Sequence, residues 1–435
     1  MQAASSPKTY LGIDFGTSGA RAIAIDANGK VLAQSSFPFT TSAPADLATT
    51  WQHTLFDLIA ALPADLRHTL RAIALDGTSS TVLLCDAQGT PLAEPLLYND
   101  ARSATVLDQV RAIAPPNHTV LSATSSLAKL LWYAQTLPLP LSPSLSPHFL
   151  HQADWLAALL HGQLGISDYH NALKLGYDVG ELRYPDWLTA AHLPFRLPQV
   201  KAPGEAIAPI LPAVGDRLGI PAHCQICAGT TDSIAAFLAS SASTPGQAVT
   251  SLGSTLVLKL LSTVRIDDAA SGIYSHRLGN LWLVGGASNT GGAVLRQFFT
   301  DAQLAKLSTQ IDPTQPSPLD YYPLTQPGDR FPINDPYLPP RLEPQPENPV
   351  EFLHGLLESI ARIEALGYQK LTELGATPLQ QVFTAGGGAR NQTWTQVRSR
   401  LLHVPVCPSF HTEAAYGAAL LARSAVLPRI NPPNA

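Results

Sequence analysis

At 435 residues, with 45% hydrophobic and 14% charged residues, the chain can bury the cores of two or three domains, which excludes a disordered protein. A formal net charge of −5 and the absence of any Lys/Arg run exclude a tracker of phosphate backbones, so no nucleic-acid partner is expected. No apolar run is long enough for a bilayer, residues 1–8 lack the apolar core of a secretory signal, and four cysteines make no disulfide scaffold. The expectation is a cytoplasmic protein with no membrane partner.

In chain order, Tyr10-Leu11-Gly12-Ile13 reads as a buried strand and Arg21-Ala22-Ile23-Ala24-Ile25 as a second. Asn28-Gly29 is a hairpin signal leading to a third, Val31-Leu32-Ala33. The polar turn Asp14-Phe15-Gly16-Thr17-Ser18-Gly19-Ala20 therefore joins strand to strand. A P-loop joins strand to helix and needs G-x-x-x-x-G-K-[ST], which the chain lacks. The arrangement returns in the second half: Ala248-Val249-Thr250, the turn Ser251-Leu252-Gly253-Ser254-Thr255, then Leu256-Val257-Leu258-Lys259-Leu260. Each half adds a third strand, at 72–75 and at 281–284. Two such copies, one domain length apart, suggest duplicated domains.

Helices are expected over 51–62, 125–136, 153–161, 233–240, 351–374, 392–402 and 414–424. The Pro-rich stretch 137–147 reads as an extended surface loop, and the longer one, 312–349, as a lid or cleft-lining loop. Domains are placed at 8–242 and 243–428. Cys224 and Cys227 form an isolated C-x-x-C pair, best read as a buried strand end rather than a metal site. His151, His161 and His170 show no ligand spacing and read as surface or capping residues, and Trp155, Trp187 and Trp394 as packing aromatics.

Charge is scarce in two places. Between positions 218 and 258 the only Asp, Glu, Lys or Arg is Asp232, after Gly229-Thr230-Thr231 and ahead of an apolar helix. A lone carboxylate in apolar sequence needs a partner or a use; a helix cap and a catalytic role fit Asp232 equally on composition. Asp14 is likewise isolated between Lys8 and Arg21, beside the hydroxyls of Thr17 and Ser18. A carboxylate there suits a conformational turn, and it also suits a hydrated magnesium ion and a phosphate chain. Taken together, two such acids describe phosphoryl transfer, one holding the metal and one deprotonating an alcohol. Gly386-Gly387-Gly388, ahead of Asn391 and a helix, could let a flat ligand or phosphate approach the backbone, or could simply turn the chain.

These segments, in this order and over nearly the whole chain, resemble the FGGY carbohydrate kinases, which include xylulokinase, ribulokinase and glycerol kinase. Gly12-Ile13-Asp14-Phe15-Gly16-Thr17-Ser18 is similar to the family's first phosphate motif, and Tyr98-Asn99-Asp100-Ala101-Arg102 to its W-N-D-x-R sugar segment, with Tyr for Trp. Asp154-Trp155-Leu156, Leu160-His161-Gly162 and residues 168–171 follow the family's D-[YW]-L … L-[TH]-G … [TS]-D stretch. Gly229-Thr230-Thr231-Asp232 resembles the segment of the catalytic Asp, Ser251 to Thr255 the second phosphate motif, and 385–391 with 413–419 the adenosine segment and closing helix.

The resemblance implies an α/β fold of two RNase H-like domains of the actin/hexokinase type flanking a nucleotide cleft, with ATP and Mg2+ as cofactors and a small sugar as substrate. It implies Asp232 as general base and Asp14 as magnesium and sugar ligand. It gives Gly16, Thr17, Ser18, Gly253, Ser254 and Thr255 phosphate contacts, and it places Gly386, Gly387, Gly388 and Asn391 at the adenosine. Ser79, Ser80, Asn99, Asp100 and Arg102 would face the sugar, Arg102 alternatively pairing with Asp100. Xylulokinases carry Met-His where this chain has Ser79-Ser80, and this chain is shorter. Both features resemble compact D-ribulose kinases, so D-ribulose is the expected substrate and D-xylulose the alternative. A non-catalytic, chaperone-like member of the superfamily is the alternative of another class; Asp232 together with Asn99, Asp100 and Arg102 argues against it. A sugar-binding regulator would bring a DNA-binding segment and a Cys-rich motif, neither of which is present.

Overall fold

Strand Thr9–Phe15 (β1) is buried at all but one position, the pattern of a central strand covered on both faces. Gly19–Ile25 (β2) returns antiparallel to it and Val31–Pro38 (β3) pairs antiparallel beyond β2. On the other side Leu70–Gly77 (β4) runs parallel to β1, followed by Ala206–Pro209 (β5) and Gln225–Cys227 (β6), giving the order β3-β2-β1-β4-β6-β5. The short Thr230–Thr231 (β7) pairs parallel to the end of β4. The computed structural model describes residues 8–39, 43–137, 147–191, 193 and 195–427; positions 138–146 of the first Pro-rich stretch lie outside the described residues.

Side chains alternate across this sheet. Leu11, Ile13, Ile73 and Leu75 join a core with Trp51 and Leu55 of helix Leu47–Ala60 and Trp155 of helix Gln152–His161. Tyr10, Ile23, Ala72 and Ala74 point the other way, onto Ala415, Tyr416 and Ala419 of helix Ala414–Val426.

That last helix belongs to the first of two compact units, Met1–Ala239 with Glu413–Ala435, whereas the sequence reading gave it to the second domain. The reason is steric. A Cβ on Gly12 would lie 2.0 Å from the Ala415 carbonyl oxygen, and one on Gly417 would lie 1.9 Å from that of Ala235 in helix Asp232–Ala239. Two glycines let the helix lie directly on β1 and on its neighbouring helix.

The second unit, Ser240–Thr412, is built on Gln247–Leu252 (β8) and Leu256–Ser262 (β9), with Tyr274–Leu278 (β10), Leu281–Ser288 (β11), Gln381–Ala385 (β12) and Val406–Pro408 (β13). Its order is β10-β11-β9-β8-β12-β13, with β8 parallel to β12 and antiparallel to β9. The repeat is real, but its third member differs from the sequence reading. The strand at 281–284 lies beyond β9 and so matches β3, while 72–75 lies beside β1 and matches β12. Sequence periodicity carries no pairing partner.

The segment 312–349 is anchored rather than poised as a lid. Phe331 is fully buried, and the buried Asp329 accepts from Ser288 Oγ at 2.8 Å and from the Asn289 N–H at 2.7 Å. His151, His161 and His170 are all buried, a correction to their reading as surface residues. His151 does head a helix, and His170 Nδ1 meets Thr230 Oγ1 at 2.7 Å. Trp155 and Trp394 pack in cores, and Cys224 and Cys227 are free, buried thiols whose burial raises their pKa, that of Cys227 to about 12.

Candidate active site

Asp14 and Asp76 are partners in the parallel ladder between β1 and β4, near the C-terminal end of each strand. They share parity with Tyr10 and Gly12, and with Ala72 and Ala74, so they occupy the face that carries helix Ala414–Val426. Asp232 opens the helix Asp232–Ala239 directly after β7, whose Thr230 pairs with Asp76. The chain thus gathers three carboxylates from three segments at the carboxyl ends of neighbouring strands, where α/β proteins keep their sites.

The charges of Asp14 and Asp76 are poorly compensated. Asp76 is 0% exposed, and among the described residues no N–H or O–H reaches either of its oxygens. Burial pushes its pKa well up, and the charges of Asp14 and Asp232 push it further. Asp14 is also raised, chiefly by burial and then by Asp232; its contact with Asp76 and the charge of Arg21 oppose this. Arg21 is itself paired with Glu413. The Asp232 carboxylate accepts the Ser233 N–H at 2.6 Å.

Sequence reading gave Asp76 no role. Its signal was available: Ala-Leu-Asp-Gly at 74–77 repeats the pattern of Gly-Ile-Asp-Phe-Gly at 12–16, a carboxylate closing an apolar strand before a glycine. Orphaned hard oxygens at Asp14 and Asp76 suit a cation such as Mg2+. No group of three or more His, Cys, Asp or Glu among the described residues is arranged to hold a metal alone, so such an ion would bring water or phosphate ligands with it.

A pocket of 360 Å³ opens beside the same strand ends, bordered by Gly16, Thr17, Ser18, Thr78, Tyr98 and Gln152. Thr17 and Ser18 are exposed on the β1–β2 turn, which is closed by the Gly16 N–H donating to the Gly19 carbonyl at 3.0 Å. Ser80 is buried with a left-handed backbone (φ 64°), and no donor or acceptor among the described residues meets its hydroxyl. Its carbonyl and that of Leu97 accept from the fully buried Lys129 Nζ at 2.7 and 2.5 Å, tying the Ser79-Ser80 turn to the Tyr98 segment.

Tyr98 reaches the pocket; Asn99, Asp100 and Arg102 are not among the residues bordering it. Arg102 Nη2 instead donates to Asp100 at 2.7 Å, and its guanidinium lies 5.2 Å from the Trp132 ring centroid. Burial of Asp100 works against ionisation, but the Arg102 hydrogen bonds prevail and hold its pKa below the usual value.

In the second unit the turn between β8 and β9 holds Gly253, Ser254 and Thr255. The N–H groups of Gly292 and Ala293 donate to the Gly253 and Ser254 carbonyls at 2.9 and 3.1 Å, and Arg296 Nη2 donates to Ser254 Oγ at 2.8 Å. Gly386 follows β12 with φ 82°, and a Cβ there would lie 2.7 Å from the Leu252 carbonyl oxygen. The two turns therefore touch. A Cβ on Gly387 would meet nothing within 4 Å, while Gly388 packs on Leu252 and Trp394. Asn391 caps helix Gln392–Leu402 by accepting the Trp394 N–H at 3.0 Å and donates to Ser308 Oγ at 2.8 Å. Its side chain is committed to local structure.

Comparison with known proteins fits this layout. Residues 9–239 match the N-terminal domain of the FGGY family of carbohydrate kinases and residues 248–426 match its C-terminal domain. A xylulose kinase of Escherichia coli is 25% identical over 410 residues, 89% of this chain and 84% of that one. A xylulose kinase of Streptomyces coelicolor is 26% identical over 451 residues, covering 96% and 88%. In fold, a xylulose kinase from Rhodospirillum rubrum superimposes with a TM-score of 0.82 at 21% identity, covering 98% of this chain and 91% of that one. A Plasmodium falciparum glycerol kinase with ADP gives 0.81 at 16%, covering 97% and 90%. With both halves matched in order, the chain belongs to the FGGY family of carbohydrate kinases.

Proposed function

We propose that this chain transfers the γ-phosphoryl group of ATP to a primary hydroxyl of a pentulose, converting D-ribulose to D-ribulose 5-phosphate. The observation that carries the reading is the gathering of Asp14, Asp76 and Asp232 at neighbouring strand ends of one sheet, past which a pocket of sugar size opens without any of the three bordering it. Asp232, at the start of its helix, accepts the proton of the attacking hydroxyl as its oxygen bonds to phosphorus and the bond to the ADP oxygen breaks. Asp14 holds the cation that accompanies the nucleotide, and when bound that ion neutralises charge on the phosphates. Thr17 and Ser18 of the first turn, and Gly253, Ser254 and Thr255 of the second, offer phosphate contacts. Gly386, Gly387 and Gly388 leave room for the nucleoside, and Asn391 shapes that turn through its backbone cap.

Ser79-Ser80 supports D-ribulose, since short hydroxyls replace a bulkier Met-His pair. D-xylulose is the second reading, favoured by the names of the relatives. A coupled ADP-release assay over D-ribulose, D-xylulose, other ketoses and glycerol separates them; ATP turnover indifferent to every polyol would refute both. Asp232→Ala is expected to lower turnover at least about a thousandfold while ADP binding, followed by calorimetry, persists. Loss of both together would make Asp232 a structural cap.

A further inference from the structure

Gln152 is 1% exposed, yet its amide is only half used. Its Oε1 accepts the Thr78 N–H at 3.1 Å and lies 3.3 Å from Thr78 Oγ1. The N–H contact fixes the orientation of the amide, because a backbone donor must meet the oxygen. Thr78 Oγ1 meets Thr81 Oγ1 at 2.5 Å, and the Gln152 backbone N–H donates to the Thr81 carbonyl at 2.9 Å. The side chain is locked against the loop that follows β4. Its Nε2 has no acceptor among the described residues, and Gln152 borders the 360 Å³ pocket. A donor that is held in a fixed orientation on the wall of a cavity, with no protein acceptor, is preorganised for a ligand oxygen.

We infer that Gln152 is a specificity-determining residue whose Nε2 donates to the carbonyl oxygen of an open-chain ketose bound in this pocket. The inference rests on the kinase reading above and adds to it the group being recognised. Gln152 Oε1 already serves Thr78, so this corner offers a donor without a spare amide acceptor. A carbonyl oxygen accepts only and suits that; a hydroxyl would bring a proton needing its own acceptor. The rest of the wall combines the apolar side chains of Phe39, Leu47, Trp51 and Leu97, which fit the carbon chain of a sugar, with the hydroxyls of Thr17 and Ser18, which fit its hydroxyls.

The test compares a pentulose with its pentitol, which differs only in reduction of the carbonyl, for the wild type, Gln152→Leu and Gln152→Glu. Dissociation constants come from calorimetry without nucleotide, and KM and kcat from coupled turnover. Gln152→Glu keeps the acceptor for the Thr78 N–H and replaces only the donor. Both variants are expected to weaken pentulose binding about tenfold, mainly in KM, and to bring it close to pentitol binding. ADP binding, measured alongside, reports that the variants are folded. Folded variants that keep the wild-type preference, or that lose ketose and pentitol equally, overturn the inference, as does a wild type without any preference. A wild type that phosphorylates no sugar at all sinks the kinase reading first and this assignment with it.

Discussion

In the first unit β1 and its parallel neighbour β4 pair Asp14 with Asp76; in the second the equivalent strands β8 and β12 pair Thr250 with Thr384. Both places are buried and polar, and they handle charge in opposite ways. Around Thr250 and Thr384 a carboxylate and a guanidinium complete each other. Arg398 donates from Nε to Glu364 Oε2 at 2.6 Å, from Nη2 to Oε1 at 2.7 Å and from Nη1 to Thr384 Oγ1 at 2.7 Å, and Thr250 Oγ1 donates to Glu364 Oε1 at 2.5 Å. Glu364 and Arg398 are both 0% exposed. Around Asp14 and Asp76 no cation among the described residues forms such a pair; Arg21 acts on Asp14 only through its charge and is itself paired with Glu413. A satisfied buried pair serves architecture, holding together two strands and two helices. An unsatisfied one is a standing demand for something the chain itself does not supply.

The sharpest way to break this contrast is Glu364→Gln, which strands the Arg398 charge in the core. It should destabilise the protein by about 3–5 kcal/mol in denaturant unfolding. A loss under about 1 kcal/mol would mean that the pair is not structural. Asp76→Asn should act in the other direction, raising thermal stability at neutral pH while lowering phosphoryl transfer, the exchange expected of an unsatisfied functional group. The sign follows from burial. Asp76 in the folded chain keeps its proton to higher pH than in the unfolded chain, so its penalty sets in as pH climbs past about 4. The advantage of Asn should therefore shrink to nothing below that pH, and a variant less stable than wild type at pH 7 would contradict the contrast.

Lys129 is the intermediate case, a buried cation that donates to the Ser80 and Leu97 carbonyl oxygens, and burial lowers its pKa to about 7. Below that pH folded and unfolded chains are both charged and the full penalty stands. Between about 7 and about 10 only the unfolded chain stays protonated, so stability should rise with pH relative to Lys129→Met. This is the smallest expected effect, read as a difference in melting temperature across a pH series; a flat difference would place the ammonium in contact with water.

Much of this was legible in the sequence, for physical reasons. Asp14 and Asp232 stood out because apolar neighbours make a carboxylate expensive, and the two strand–turn–strand copies carried their periodicity plainly. The helices expected at 125–136, 153–161, 351–374 and 392–402 lie within two residues of the observed ones at 126–136, 152–161, 349–373 and 392–402. Asp76 also closes an apolar strand, but what gives it a role is its pairing with Asp14, 62 positions earlier in the chain. Gln152 sits in His-Gln-Ala-Asp, which reads as the polar start of a helix; that its amide is half-used is a property of packing with Thr78, 74 positions away. The burial of His161 and His170 and the pairing of strands 72–75 and 281–284 likewise depend on partners distant in the chain.

Helix Ala414–Val426, seated on β1 through Gly12 and Gly417, sets an order of events during synthesis. Translation delivers β1 first and its covering helix only after the entire second unit has been made, so one apolar face of the first sheet must wait bare or be shielded by a chaperone. A ribosome that stalls within the second unit would release a first unit lacking its lid of alanines, prone to aggregate through Tyr10, Ile23, Ala72 and Ala74.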